Sequence, residues 1–420
     1  MEMPITPEMP ITQAEQAVTD RRMAAARRKL AAMLPAVPLI AFLAMFLVIP
    51  LAIIVKTAFQ DREIAAALPA TVEQIVLSAS PALPGDDVFA TLVDELRAAK
   101  KSGLLRPLAR RMEYGVEGGS AAIMDASRLA TEDLATRDAA EIRQAVIDSN
   151  PAWAGPGVWQ AMAAGSASYS LFYLKWALGA DVKFKADGQA ATDGTYDFPA
   201  IYLRTIVISL VVTVLTVLIG YPMAYVVATS SGLIGKMLVF LVLLPFWTSL
   251  LVRTMSWIVM LQRNGVMNDL LIAGGLVSEP LPLLYTRFAT VLAMVQIQLP
   301  FTVLPMISVM RAIPPSHVRA ARSLGASPLT AHLSVFMPQA VPGIAAGALL
   351  TFVLCLGFYL TPALVGGPGD QMVSFFIARF TNEQLNWGLA SALSLVLIAG
   401  ATVIALPLSR YISTHSSGRF

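Results

Sequence analysis

Six apolar runs constrain this chain more than any other feature. They fall at about residues 33–55, 201–228, 237–261, 288–310, 340–364 and 389–408. A bilayer crossing takes roughly 20 residues at 1.5 Å of rise each, and each run has that length. Hydrocarbon offers no partner to a loose backbone N–H or C=O, so runs of this kind read as helices. The composition agrees: 56% of the 420 residues are hydrophobic and 14% are charged. The predicted fold class is an all-α membrane protein of six spans. The first span stands alone at 33–57, and a core of five occupies 201–410. A polar insertion, 58–200, separates them, with an N-terminal segment at 1–32 and a tail at 411–420. Prolines at 245, 300, 305, 342 and 362, with Gly220 and Pro222, loosen the spans. Such kinks suit a transport pathway, or only improve packing.

Several classes are excluded. The formal charge is only +3, and the basic residues are scattered or lie beside spans, so no nucleic-acid face is expected. Cys355 sits in an apolar run and reads as a packing residue. His317, His332 and His415 are too widely spaced for a metal cluster. No Gly-x-x-x-x-Gly-Lys-Ser/Thr sequence occurs, so the chain is not expected to be an ATPase. No carboxylate pair or nucleophile–histidine arrangement points to a membrane enzyme. A scaffold or receptor anchored by six helices is the remaining alternative of a different class.

Charge sets an expected orientation. Residues 14–32 read as a basic amphipathic helix, with Arg21, Arg22, Arg27, Arg28 and Lys29 just before the first span. That segment is too polar for a cleaved signal. Six spans put both termini on one side, and the positive-inside rule makes it the cytoplasm. Lys236, Arg311, Arg319, Arg322 and Arg410 then also fall in cytoplasmic segments, and membrane lipid surrounds the bundle.

On this topology the insertion faces the periplasm. It carries 19 acidic and 13 basic side chains. Amphipathic spacing predicts helices over 88–109 and 130–149. The aromatic stretch 169–176 reads as a membrane-surface segment or a short hairpin, and Asp193-Gly194 as a turn. Many alanines suggest a thin core supported by the spans. Three roles stand: a docking surface for a soluble binding protein, a structural cap, or loose chain.

The loop between the fourth and fifth runs is built with care. Pro314 and Pro315 stop one helix, Ser316 can cap another, and Gly325 can end it. Ser327 and Pro328 fit the N-cap and first position of a second short helix. Pro338 and Pro342 bracket the entrance to the next span. This segment resembles the cytoplasmic coupling loop, the EAA loop, of ABC importer permeases. Ala320, Ala321, Gly325, Val335 and Pro338 fall on that pattern. Leu324-Gly325-Ala326-Ser327 and Pro342-Gly343-Ile344 match its polyamine-type variant. Arg319 stands where the family usually has Glu, and His332 where it usually has Phe. Leu244-Pro245-Phe246-Trp247-Thr248-Ser249, Val252-Arg253-Thr254 and Asn264-Gly265 through Asn268 resemble the spermidine/putrescine permease B-subunit type. So do Thr361-Pro362-Ala363-Leu364-Val365-Gly366-Gly367, Asp370-Gln371-Met372 and Asn386-Trp387. The likeness covers about 220 residues plus the first span, and 60–199 have no counterpart in it.

The resemblance implies a type I importer permease in a bacterial inner membrane. Its implied partners are a second permease subunit, two ATPase subunits that use ATP and Mg, and a periplasmic binding protein. It implies that loop residues 311–338, among them Arg319, Ala320, Ala321, Leu324, Gly325, Ala326, Ser327, His332 and Pro338, couple to the ATPase. No cofactor is expected on this chain. A polyamine is the implied substrate; another small organic cation, an amino-acid-like compound or a phosphonate is the alternative. The spans hold no Asp or Glu, so a cation would need neutral help. Trp247, Trp257, Tyr221, Tyr225 and Tyr359 offer aromatic faces, and Thr248, Ser249, Gln296 and Gln298 offer hydrogen bonds. Packing is the competing role for each aromatic. Asp370 and Glu383 are expected near the outer mouth. Arg253 would repel a cation if it faced the path.

Overall fold

The computed structural model describes residues 34–78, 83–130, 137–180, 183–189, 196–230 and 232–417. The basic segment 1–32 and the Asp193-Gly194 turn lie outside them. The fold is all-α; among the described residues the only β features are the isolated bridges Gln60–Tyr169 and Val116–Phe184. The chain divides into two units, 1–56 and 57–420. Among the described residues the first span, Val37–Ala58, is one of five helices long and apolar enough to cross a membrane. The others are Phe198–Thr229, Arg287–Ala312, Pro328–Leu356 and Trp387–Pro407.

The third apolar run is not one straight helix. It breaks into Leu233–Trp247 and Leu250–Ala273, bent by 99°. Pro245 tightens the end of the first piece into a 3₁₀ turn, and Thr248 and Ser249 are extended. Ser249 Oγ then accepts from Val252 N–H at 3.2 Å and caps the second piece. The fifth run differs too. Its helix starts earlier, at Pro328, and stops at Leu356; Gly357, Phe358 and Tyr359 separate it from a short helix, Leu360–Val365. The Phe358 carbonyl, freed by that stop, accepts from Ser374 Oγ at 2.7 Å. The last helix does not end near 408 but runs on to Ser417.

The insertion is a folded helical module with a substantial core. Phe89, Leu92, Leu96, Leu108, Met112, Trp153 and Trp159 are all at most 1% exposed. Small alanines between them let the helices approach closely. Trp153 and Trp159 pack at 5.3 Å, and each indole N–H reaches a carbonyl, of Ala122 and Trp153 respectively. Such rings bury large apolar areas while keeping their donors satisfied. The expected helix over 88–109 is two helices, Asp86–Ser102 and Leu105–Gly115, because Gly103 at φ 79° takes the left-handed turn between them. The aromatic stretch is neither hairpin nor free surface. It forms the helix Phe172–Ala177, whose Tyr173 and Trp176 pack with Phe198, Phe376, Phe380 and Leu389 of the bundle.

One buried ion pair ties the helix Leu105–Gly115 to the start of the insertion. Arg111 holds Asp61 through two hydrogen bonds of 2.7 and 2.8 Å, both side chains being at most 1% exposed. Ser170 Oγ donates to the same carboxylate at 3.0 Å, and the guanidinium lies 3.4 Å over the Phe172 ring. Burial alone would lower the Arg111 pKa; the Asp61 carboxylate outweighs it and holds it above its ordinary value. Breaking one side of such a pair leaves a buried charge uncompensated. Arg111→Met or Asp61→Asn alone should therefore destabilise the module by about 3–5 kcal/mol. Asp61→Leu combined with Arg111→Met should cost much less. Thermal unfolding of the purified protein, followed by tryptophan fluorescence, checks this; equal losses in single and double variants would contradict it.

Candidate coupling and transport site

The loop helix runs over Pro315–Ser323. Ser316 lies in its first turn and is not its cap. Pro315 takes the first helical position, where a missing N–H costs nothing, and forces Pro314 before it to be extended. The helix ends in a Schellman arrangement: Ala326 N–H bonds to the Ala321 carbonyl and Gly325 N–H to that of Arg322. Gly325 has φ 93°. Ser327 caps the next turn, its Oγ accepting from Thr330 N–H at 3.1 Å, with Pro328 following as expected.

The helix leans on the bundle through one face only. Val318 packs against the cluster of Ala224, Val227, Met306, Met310 and Phe336, and His317 Nδ1 meets Gln339 Oε1 at 2.9 Å. Arg319, Ala320, Arg322 and Ser323 are all exposed. Leu324 projects at its tip, 90% exposed, and Leu329 follows at 67%. Arg319 and Arg322 have no ion pair among the described residues. The result is a rigid basic knob with apolar tips. Pro338 does not mark an entrance; it sits inside the helical column that starts at Pro328. A π-turn, His332–Phe336, precedes it, and His332 Nε2 lies 2.8 Å from the Tyr221 hydroxyl. Tyr221 and Tyr225, which the sequence offers as aromatic faces for a cation, pack around this histidine instead.

The residues expected along a substrate path do not converge on one spot. Trp247, Thr248 and Ser249 lie at the break in the third span, Trp247 being 68% exposed. Trp257 Nε1 reaches Gln296 Oε1 at 3.4 Å. Gln298 is fully buried and faces Cys355 Sγ at 3.4 Å. Two residues along a helix are about 200° apart, so the two glutamines face different sides. Tyr359 stands at the break before Leu360–Val365. Asp370 is buried and bonded to Arg287 at 2.9 Å, while Arg204 bonds the neighbouring Gly369 carbonyl. Glu383 is exposed and paired with Arg379. Sequence reasoning missed Arg204, Arg287 and the buried Thr254–Thr361 pair at 3.2 Å. It also left the buried Asn268 without a role. Its carboxamide bonds the carbonyls of Gln262, Arg263 and Leu281 and accepts from Leu281 N–H. Among the described residues no cluster of His, Cys, Asp and Glu could hold a metal.

The profile of the binding-protein-dependent transport system inner membrane component matches residues 216–415. The chain is 30% identical over 207 residues to the spermidine/putrescine transport system permease protein PotB of Escherichia coli, covering 49% of this chain and 75% of that protein. The chain belongs to this family of importer permeases. The PotB of Haemophilus influenzae is 34% identical over 187 residues, 44% of this chain and 65% of that protein. The inner membrane ABC transporter permease protein YdcU of Escherichia coli is 34% identical over 218 residues, 47% of this chain and 67% of that protein. The permease is a multi-pass inner-membrane subunit of a transport system. Its insertion lies outside the profile match.

Nothing lies within 4 Å of a side chain built at Gly325. Its constraint within the permease is therefore the backbone. A Leu there must adopt a left-handed conformation that costs roughly 1–2 kcal/mol, while Asn visits it more readily. Gly325→Leu should speed amide hydrogen exchange over 324–326 in the purified permease, and Gly325→Asn should leave it near the parent rate. Equal protection in all three proteins would contradict this account.

Proposed function

We propose that this permease is one of two different membrane subunits in an ATP-driven importer of polyamines such as spermidine and putrescine. The observation that carries the reading is the knob at 315–329, rigidly capped and exposed, in a chain similar to permeases named for those substrates. One of two ATPase subunits grips the knob, and the termini and the knob face the cytoplasm. The 58–200 module then lies in the periplasm, where a soluble binding protein delivers substrate. Arg319 presents a cation where the family usually presents Glu, so the partner permease makes the stronger ATPase contact.

One observation favours a second cargo class. Asp370 is already neutralised by Arg287, and the Nε of Arg253 is buried without a hydrogen-bond partner among the described residues. Such arginines also suit an amino-acid-like compound or a phosphonate. The test is uptake by proteoliposomes holding the full complex and its binding protein. ATP-dependent accumulation of labelled spermidine or putrescine, competed by the unlabelled amine, is expected. Accumulation of a phosphonate or amino acid with no polyamine uptake would replace the substrate. No ATP-dependent uptake of any of these would contradict the polyamine importer.

Removing the loop cation separates the two permeases' contributions. Arg319→Ala should lower ATP-coupled transport less than removal of the Glu at the corresponding place in the partner permease. Equal or larger loss in Arg319→Ala would contradict the asymmetry.

A further inference from the structure

Two helices of the permease depart from regular α-helical hydrogen bonding near each other, and one polar link joins them there. In the second span Pro222 has no N–H to give, so the carbonyl one turn earlier goes without its usual helical partner. Gly220, two residues before it, lets the span press against Val303; a side chain there would come within 2.9 Å of it. On the facing column the π-turn His332–Phe336 widens the helix, with Met337 N–H bonded back to the His332 carbonyl. Pro338 follows at once. Wide turns of this kind mark places where a helix yields. Between these two weakened points stands the contact of Tyr221 Oη with His332 Nε2, 2.8 Å long.

The imidazole is held in a fixed pose. Phe336 stacks on it with planes 16° apart, and Tyr225 meets it edge-on at 4.5 Å. The loop helix connects to the same turn from its other side. His317 meets Gln339, and Gln339 Nε2 donates to the Val335 carbonyl inside the π-turn at 2.7 Å. A continuous chain of contacts thus runs from the knob through His317, Gln339 and Val335 to His332 and Tyr221. A phenylalanine at 332 could fill the same space but could not hydrogen-bond. Apolar contacts let helices slide, whereas a hydrogen bond weakens steeply when its distance or angle changes.

We propose that His332 and Tyr221 are positioning residues that carry movement of the loop helix sideways into the second span. The proposal rests on the reading that an ATPase subunit grips the knob. Movement enters at the loop helix, the π-turn and the Pro222 region yield, and the hydrogen bond makes the two yielding segments move together. Without it, the knob moves while the inner end of the second span lags.

The test uses the assembled transporter in nanodiscs, with spin labels at Thr229 and Leu385 of this chain. Both positions are exposed, at opposite ends of the bundle. Distances are measured without nucleotide and after trapping with ATP and vanadate. The parent complex should show a nucleotide-dependent shift. Tyr221→Phe and His332→Leu should each lose most of it while ATP hydrolysis continues, and the double variant should lose no more than either. His332→Gln, whose amide nitrogen can reach the Tyr221 hydroxyl, should restore it. A merely structural role would lower assembly instead and would not distinguish Gln from Leu. A full shift in Tyr221→Phe, or independent losses that add in the double variant, would overturn the link alone. No shift in the parent complex would overturn the gripped-knob reading, and the link with it.

Discussion

Backbone polar groups have no water to turn to in hydrocarbon, and three of the places where this bundle departs from regular helix are answered by a named side chain. At the break in the third span the answer is Ser249, which caps the second piece. At the stop after Leu356 it is Ser374, which bonds the freed Phe358 carbonyl. Where the chain turns after Leu261, Asn268 closes the loop with bonds to both of its sides. The cost of an unsatisfied group in such surroundings is several kcal/mol. These short polar side chains therefore set where the spans can bend, and the bends in turn leave Trp247, Thr248 and Tyr359 at irregular backbone.

Outside the bundle the physics changes, and charge can be used. The Asp61–Arg111 pair is buried, bidentate and backed by Ser170 and Phe172. It fixes the helix Leu105–Gly115 against the segment leading from the first span. The same helix also reaches the loop before the last span. Tyr114 donates to Gln384 Oε1 at 2.8 Å, and Arg110 bonds the Gln384 carbonyl. The module is fastened to the bundle at Gln384 and again through Tyr173 and Trp176, which pack on Phe198, Phe376, Phe380 and Leu389, and this suits a stiff fixture better than loose chain.

Much of this was legible in the sequence, and the failures have physical causes. Apolar length located the spans, because a bilayer sets that length. Gly325, Ser327 and Pro328 were readable because turn and cap chemistry is local. Ser316 was misplaced because Pro315 competes for the same end and wins through its fixed φ. The insertion's core was underrated because its alanines were counted as weak apolar residues. Ala109, Ala122, Ala126 and Ala161 are instead buried close-approach points that let Trp153 and Trp159 fill the centre. Pairs such as Arg287–Asp370 and Tyr221–His332 left no signal, since nothing local fixes register between helices so distant in sequence. The glutamines at 296 and 298 looked like one polar patch only until helical geometry turned them apart.

The account stands or falls on what touches the knob. The single cysteine, Cys355, is buried, so a cysteine placed at Leu324 would be the one reactive thiol of this chain. In inside-out vesicles carrying the complex, a thiol cross-linker of short span should join Leu324→Cys to the ATPase subunit, and the join should block ATP-driven transport. A Leu324→Cys protein that assembles and transports normally, yet never cross-links to the ATPase with or without nucleotide, would contradict the account.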